Sequence, residues 1–107
     1  MDERLTISTS ATGGTTTLTL DGDLDPSSAP QLATAIADAL ARDGLENLVL
    51  DVAGLAFIDS SGLSALVNGH ADATAVDVAF SVVNPTSLCE RLIAATGLTD
   101  LLGSTAT

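Results

Sequence analysis

The feature that most constrains the fold of this chain is a strand that runs directly into a helix, in the sequence NLVLDVAGLAFIDSSGL (47–63). NLVLDV is apolar on both faces, which is typical of a central strand covered on two sides. A helical pattern follows at once, after the small polar run Asp59-Ser60-Ser61-Gly62. Parallel strands need such crossover helices, so this passage indicates a sheet with parallel neighbours.

The segments around this strand continue the alternation of strands and helices. Residues 5–7 and 18–20 alternate in polarity about the Gly13-Gly14 pair, which predicts a hairpin. Either Asp25 or Ser28 is expected to cap the first helix. Apolar spacing predicts the remaining elements, namely a helix from about 29 to 42, a helix at 63–73, a strand at 76–82 and a helix at 85–97 with apolar residues at 88, 92 and 93. The order predicts an α/β fold, a mixed sheet of four to five strands with helices packed on it.

The length of 107 residues fits one domain, residues 1–107, in which 98–102 add a short turn and about 103–107 form a frayed tail. Two Phe and no Tyr or Trp predict an aliphatic core. No apolar run approaches the ~18 residues of a membrane span, and the N-terminus lacks the pattern of a signal peptide. The lone Cys89 fits a reducing compartment, so we expect a cytoplasmic protein.

The charge of the chain is strongly negative. Fourteen Asp and Glu stand against three Arg and no Lys, for a formal charge of −11. Binding to nucleic acid or to anionic membranes depends on Lys and Arg, so neither is an expected partner. The acidity fits either solubility, including in a salty cytoplasm, or a basic protein partner, and these explanations are compatible.

The spacing of Asp21, Asp23 and Asp25 matches the start of a calcium-binding loop, but the rest of that loop is missing. Pro26 occupies the position of the required glycine, and Leu32 occupies that of the bidentate Glu. A turn whose last Asp caps a helix explains the acids more simply than a calcium site does. We therefore predict no metal and no cofactor.

A serine hydrolase would need a base beside its nucleophile. The only histidine, His70, lies ten residues after Ser60, or about 15 Å along a helix. His70 is therefore expected to be a surface or helix-end residue, and Cys89 an inert core thiol. These features predict a protein that is not an enzyme and has no catalytic residues.

The run from Asp59 to Gly62 has two interpretations. One is a plain helix start in which Asp59 or Ser60 is the N-cap, worth about 1 kcal/mol. The other is a functional surface. Capping needs one small polar side chain, whereas this run has three, and Gly62 weakens a first helical turn by about 1 kcal/mol relative to Ala. Gly62 also indicates that a second surface comes close.

Three segments resemble the anti-sigma factor antagonists of the STAS domain family: GDLD (22–25), LVLDVAGLAFIDSSGLSAL (48–66) and RLIAATGLTDLL (91–102). They appear in the family's order and cover nearly the whole chain. The resemblance implies a single STAS-like α/β domain that binds an anti-sigma factor, often also a serine kinase, and so frees a sigma factor for transcription.

The resemblance also implies the roles of individual residues. Ser60 falls on the phosphoacceptor, Asp59 and Asp25 on its acidic neighbours, and Ser61 on the second hydroxyl. With Asp23 and Gly62, these residues form the expected partner-binding set. A STAS module of another signalling assembly, a nucleotide-binding module and, less favoured, a small serine hydrolase remain alternatives.

A physical mechanism follows from the position of Ser60 at a helix N-terminus. Its hydroxyl would be accessible to a kinase, and phosphorylation would add about two negative charges to an acidic corner. A partner docked there would have to desolvate that charge. Phosphorylation of Ser60 is therefore expected to weaken partner binding.

Overall fold

Strands and helices alternate along residues 5–96, the part of the chain that the computed structural model describes. In chain order they are β1 (Thr6–Thr12), β2 (Thr15–Leu24), α1 (Ala29–Leu40), β3 (Asn47–Ile58), α2 (Ser60–Ala75), β4 (Ala79–Val83) and α3 (Ser87–Thr96). The strands form one mixed sheet in the order β1-β2-β3-β4. Strand β1 is antiparallel to β2, whereas β2, β3 and β4 are mutually parallel. The predicted α/β fold is confirmed, with four strands.

The predicted hairpin is present at the start of the sheet. Thr12 pairs with Thr15, so Gly13 and Gly14 form a two-residue connection. Gly13 has a φ of 59°, a left-handed conformation that glycine adopts without steric cost.

Helices α1 and α2 lie on the same face of the sheet, because they contact each other while α1 packs on β2 and α2 on β3 and β4. The core lies between these layers, and its members are mostly aliphatic, as predicted. The largest fully buried side chains are Leu18, Leu20, Leu24, Leu32, Ile36, Leu48, Leu50, Leu66, Ile93, Val52, Val82 and Cys89.

The opposite face of β3 differs from the prediction, which had this strand covered on two sides. Val49 and Asp51 are only half-buried there, and Ala53, Ala56 and Phe57 are exposed. The apolar composition of NLVLDV misled the prediction, because Val49 needs no covering layer to be tolerated on an open face. The outer face of β3 is therefore accessible.

Two boundaries after α2 also differ from the sequence predictions. Val76 ends α2 as its C-cap and is 55% exposed, and β4 begins only at Ala79. In α3, Cys89 and Ile93 are the buried residues, whereas Leu88 is 40% exposed. The predicted apolar face of α3 included Leu88. Leu88 and the buried Cys89 are neighbours in the chain and therefore point in different directions around the helix.

None of the helices within residues 5–96 combines the length and the apolar character needed to cross a bilayer. The predicted end of the last helix at Gly97, the turn at 98–102 and the tail at 103–107 lie outside the described residues.

Candidate functional site

The two acidic segments meet at one edge of the sheet. Strands β2 and β3 are parallel, and their last residues, Leu24 and Ile58, pair with each other. The segments that follow the two strands therefore leave the sheet side by side. The N–H of Asp59 donates a hydrogen bond to the carbonyl of Leu24, with an N···O distance of 3.4 Å. Asp25 directly follows β2 and Asp59 directly follows β3, so both residues lie at the same edge of the sheet.

Asp59 is the N-cap of α2, one of the two caps predicted. Its backbone is extended, and its carboxylate Oδ1 accepts the N–H groups of Ser61 at 2.9 Å and of Gly62 at 3.1 Å. These are two of the donors that the start of a helix leaves unpaired. The carboxylate is therefore held at the helix start, next to Ser60.

Ser60 and Ser61 differ in accessibility although they are neighbours. Ser60 is the first residue of α2 and is exposed, and its hydroxyl has no hydrogen-bond partner within the described residues. Ser61 is half-buried. Of the two hydroxyls, that of Ser60 is the one presented to solvent.

Gly62 requires a correction. It was expected among the partner-binding residues, but it is buried, and the surface close to it belongs to the chain itself. A Cβ at this position would lie 2.8 Å from the carbonyl oxygen of Leu24 and 2.7 Å from its Cγ. The glycine lets α2 start directly against the end of β2, and sequence spacing could not distinguish this contact from one with a partner.

The acidic turn after β2 is ordered by its own hydrogen bonds. The Asp25 carboxylate accepts the N–H groups of Ser27 at 3.0 Å and Ser28 at 3.1 Å, and the Ser27 hydroxyl at 2.8 Å. The Ser27 hydroxyl bond is the main influence that lowers the pKa of Asp25 below its ordinary value of 3.8. The hydrogen bonds of the turn therefore favour the charged form of the Asp25 carboxylate.

Ser28 occupies the N-cap position of α1, but its side chain makes no cap bond to the helix. Its hydroxyl instead donates to the Asp23 carbonyl at 2.8 Å and accepts the N–H of Asp25 at 3.0 Å. The two predicted caps thus act together: Ser28 begins the helix, and Asp25 folds the turn that leads into it.

Two features beside Ser60 were not predicted. Phe57 pairs with Asp23 and is 43% exposed on the open face of β3. A groove of about 350 Å³ also runs between α1 and α2, from Pro26 and Ser61 to Asp72. An exposed Phe could have been expected from strand alternation with Ile58, but the groove depends on how the two helices pack.

The side chains that hydrolase or thiol chemistry would need, His70 and Cys89, lie away from this edge or are buried. His70 is half-buried within α2 rather than at a helix end. Its ring packs edge-on against that of Phe80, with the two ring centroids 5.8 Å apart. Burial, and secondarily the charge of Glu90, raises the pKa of the Cys89 thiol. Within residues 5–96, no three His, Cys, Asp or Glu side chains are grouped to hold a metal ion.

Comparison with known proteins gives the same fold. An anti-sigma factor antagonist from Mycobacterium paratuberculosis is 26% identical, with a TM-score of 0.83 over 96% of this chain and 86% of that one. The unphosphorylated form of the anti-sigma factor antagonist SpoIIAA is 22% identical, with a TM-score of 0.76 over 87% and 82% of the two chains. The phosphorylated form of SpoIIAA from Bacillus, also 22% identical, has a TM-score of 0.73 over 90% and 87%.

A family model described as "Mlab, STAS domain" matches residues 7–103. That match spans both strand ends, the acidic turn and all three helices. With the fold in agreement, the chain belongs to the STAS domain family.

Proposed function

We propose that this chain is an anti-sigma factor antagonist, which binds an anti-sigma factor that is also a serine kinase and is released when Ser60 is phosphorylated. The observation that carries the proposal is the exposed hydroxyl of Ser60 at the start of α2, which has no hydrogen-bond partner among residues 5–96. It lies on the sheet edge that also presents Asp25 and Asp59. The role is one of binding and regulation, with the catalysis supplied by the kinase.

The surroundings of Ser60 favour a phosphate that acts by charge. A helix N-terminus stabilises a negative charge by about 0.3 to 1 kcal/mol. A phosphate ~6 Å from one carboxylate is repelled by about 1 to 5 kcal/mol at effective dielectric constants between those of water and a protein surface. Asp59 already accepts the amides of Ser61 and Gly62, so less of the helix end is free to offset this repulsion. The phosphate therefore increases the cost of burying this edge against a partner.

The choice of partner class is supported by similarity along the whole chain. The Mycobacterium paratuberculosis protein, 26% identical over 96% of this chain, is an anti-sigma factor antagonist. The formal charge of −11 also fits a partner with a basic surface. Release of the partner would then return the anti-sigma factor to its sigma factor.

The test is phosphorylation by purified anti-sigma factor kinases of the source organism with ATP, followed by mass spectrometric mapping. We expect one phosphate, on Ser60, in the wild-type chain and in Ser61→Ala, and none in Ser60→Ala. The Ser61→Ala variant is the matched control, since it removes the neighbouring hydroxyl. A phosphate on another residue, or none with any of these kinases, would contradict the proposal.

A further inference from the structure

The last outward-facing residue of β3, Phe57, is one of three large hydrophobic side chains that are notably exposed within residues 5–96. The others are Val76 and Leu88. Phe57 is the aromatic member of this group, and aromatic residues are enriched where protein interfaces are most completely buried. The core does not use this ring, because Ile58 and Leu24 fill the inward positions beside it.

Phe57 adjoins the Ser60 site. Ser60 is three positions after Phe57 in the chain, so their Cα atoms are at most about 11 Å apart. Phe57 lies on the outer face of the sheet and Ser60 begins the helix on the inner side, and both lie where β3 ends. A partner surface that covers this edge would therefore contact both residues.

The charges around Phe57 determine what can cover it. Asp23 pairs directly with Phe57, Asp59 follows two residues later, and the Asp21 carboxylate lies over Gly54 of β3. Arg42 lies between α1 and β3, near the other end of that strand. A second copy of this chain would bring carboxylates against carboxylates, and like charges at an interface oppose association. The edge instead fits a partner with an apolar pocket and a basic rim.

From this combination we propose that Phe57 is the apolar anchor for the anti-sigma factor, inserted into a pocket rimmed by Lys or Arg that contact Asp23 and Asp59. This inference rests on the proposed function and identifies the contact that supplies much of the affinity. Because anchor and phosphorylation site share an edge, a phosphate on Ser60 would act within the same interface, where exclusion of water strengthens its effect.

The test is a binding titration with the anti-sigma factor, comparing wild type, Phe57→Thr and Val76→Thr. Threonine suits a strand, so Phe57→Thr removes the ring while retaining strand preference. Val76 provides a matched control because it is also exposed, at 55%. It lies at the other end of the 16-residue α2, about 24 Å along the helix from Ser60. Thermal unfolding of each variant verifies that it is folded, and Phe57→Leu provides a second variant that keeps an apolar side chain.

We expect Phe57→Thr to weaken binding roughly 30-fold or more, the loss typical of a central anchor. Val76→Thr should bind like wild type, and Phe57→Leu should fall between wild type and Phe57→Thr. If the wild-type chain binds the anti-sigma factor and both Phe57→Thr and Phe57→Leu bind it with the wild-type affinity, the inference is overturned. The proposed function would still stand. Absence of wild-type binding to any anti-sigma factor of the source organism would overturn the proposed function, and this inference with it.

Discussion

At the scale of single residues, the chemistry of the site depends on which groups are already engaged. Asp59 and Asp25 each accept backbone N–H groups, so their carboxylates are held in place by the turns that they form. In the part of the chain that the structure describes, the Ser60 hydroxyl has no such hydrogen bond. A kinase could therefore reach Ser60 without breaking hydrogen bonds that stabilise the fold.

The cap at Asp59 has both a structural and an electrostatic role, and substitution can separate them. We expect Asp59→Ala to lower the free energy of unfolding by about 1 kcal/mol, because two helix N–H groups lose their acceptor. Asp59→Asn should change it little, since Asn is an equally good N-cap. Urea unfolding measures both. Equal losses for Ala and Asn would show that the charge, and not the cap, stabilises this end of α2.

Part of this site is predictable at the residue scale. A polar residue followed by a helical pattern predicts a cap at Asp59 or Ser60, since capping depends on local sequence, and the structure has it at Asp59. The neighbour of Gly62 was not predictable, because Leu24 is 38 positions away in the chain and meets Gly62 only through the pairing of β2 with β3. Sequence spacing signals that something comes close to a glycine and does not identify it.

At the scale of elements, the junction between β2, β3 and α2 brings the site together. Two register shifts occur in the pairing of β2 and β3, between Thr19 and Asp21 and between Gly22 and Asp23. They explain why Leu55 is buried although strict alternation from Leu50 and Val52 would point it outward. Sequence patterns predict the strands themselves well, but a bulge leaves too small a mark in the sequence to be located in advance.

The close packing of α2 on the end of β2 makes Gly62 a sensitive position. We expect Gly62→Ala to destabilise the domain by about 1 to 3 kcal/mol, because the new methyl group would clash with the Leu24 carbonyl oxygen. Ser64→Ala, at an exposed position two residues later in α2, is the control and should be neutral or slightly stabilising. Thermal or chemical unfolding provides the measurement. If Gly62→Ala were as stable as wild type, α2 would not start as close to β2 as described.

At the scale of the whole molecule, one sheet edge combines an exposed serine, fixed carboxylates and an exposed aromatic ring. The formal charge of −11 would oppose binding to the phosphates of nucleic acid and would favour the basic partner surface proposed above. The fold class followed from the order of strands and helices, since few topologies accommodate that order. The open outer face of β3 did not follow, because an apolar strand segment looks alike whether one or both of its faces are covered.

The most direct test of the proposed switch is a titration of the anti-sigma factor with unmodified protein and with protein phosphorylated on Ser60. We expect the phosphorylated form to bind at least about tenfold more weakly, with a difference that narrows as salt screens the added charge. Ser60→Ala, which cannot carry the phosphate, should bind like the unmodified protein before and after kinase treatment. Equal dissociation constants for the two forms, at low and at high salt, would contradict a switch at Ser60.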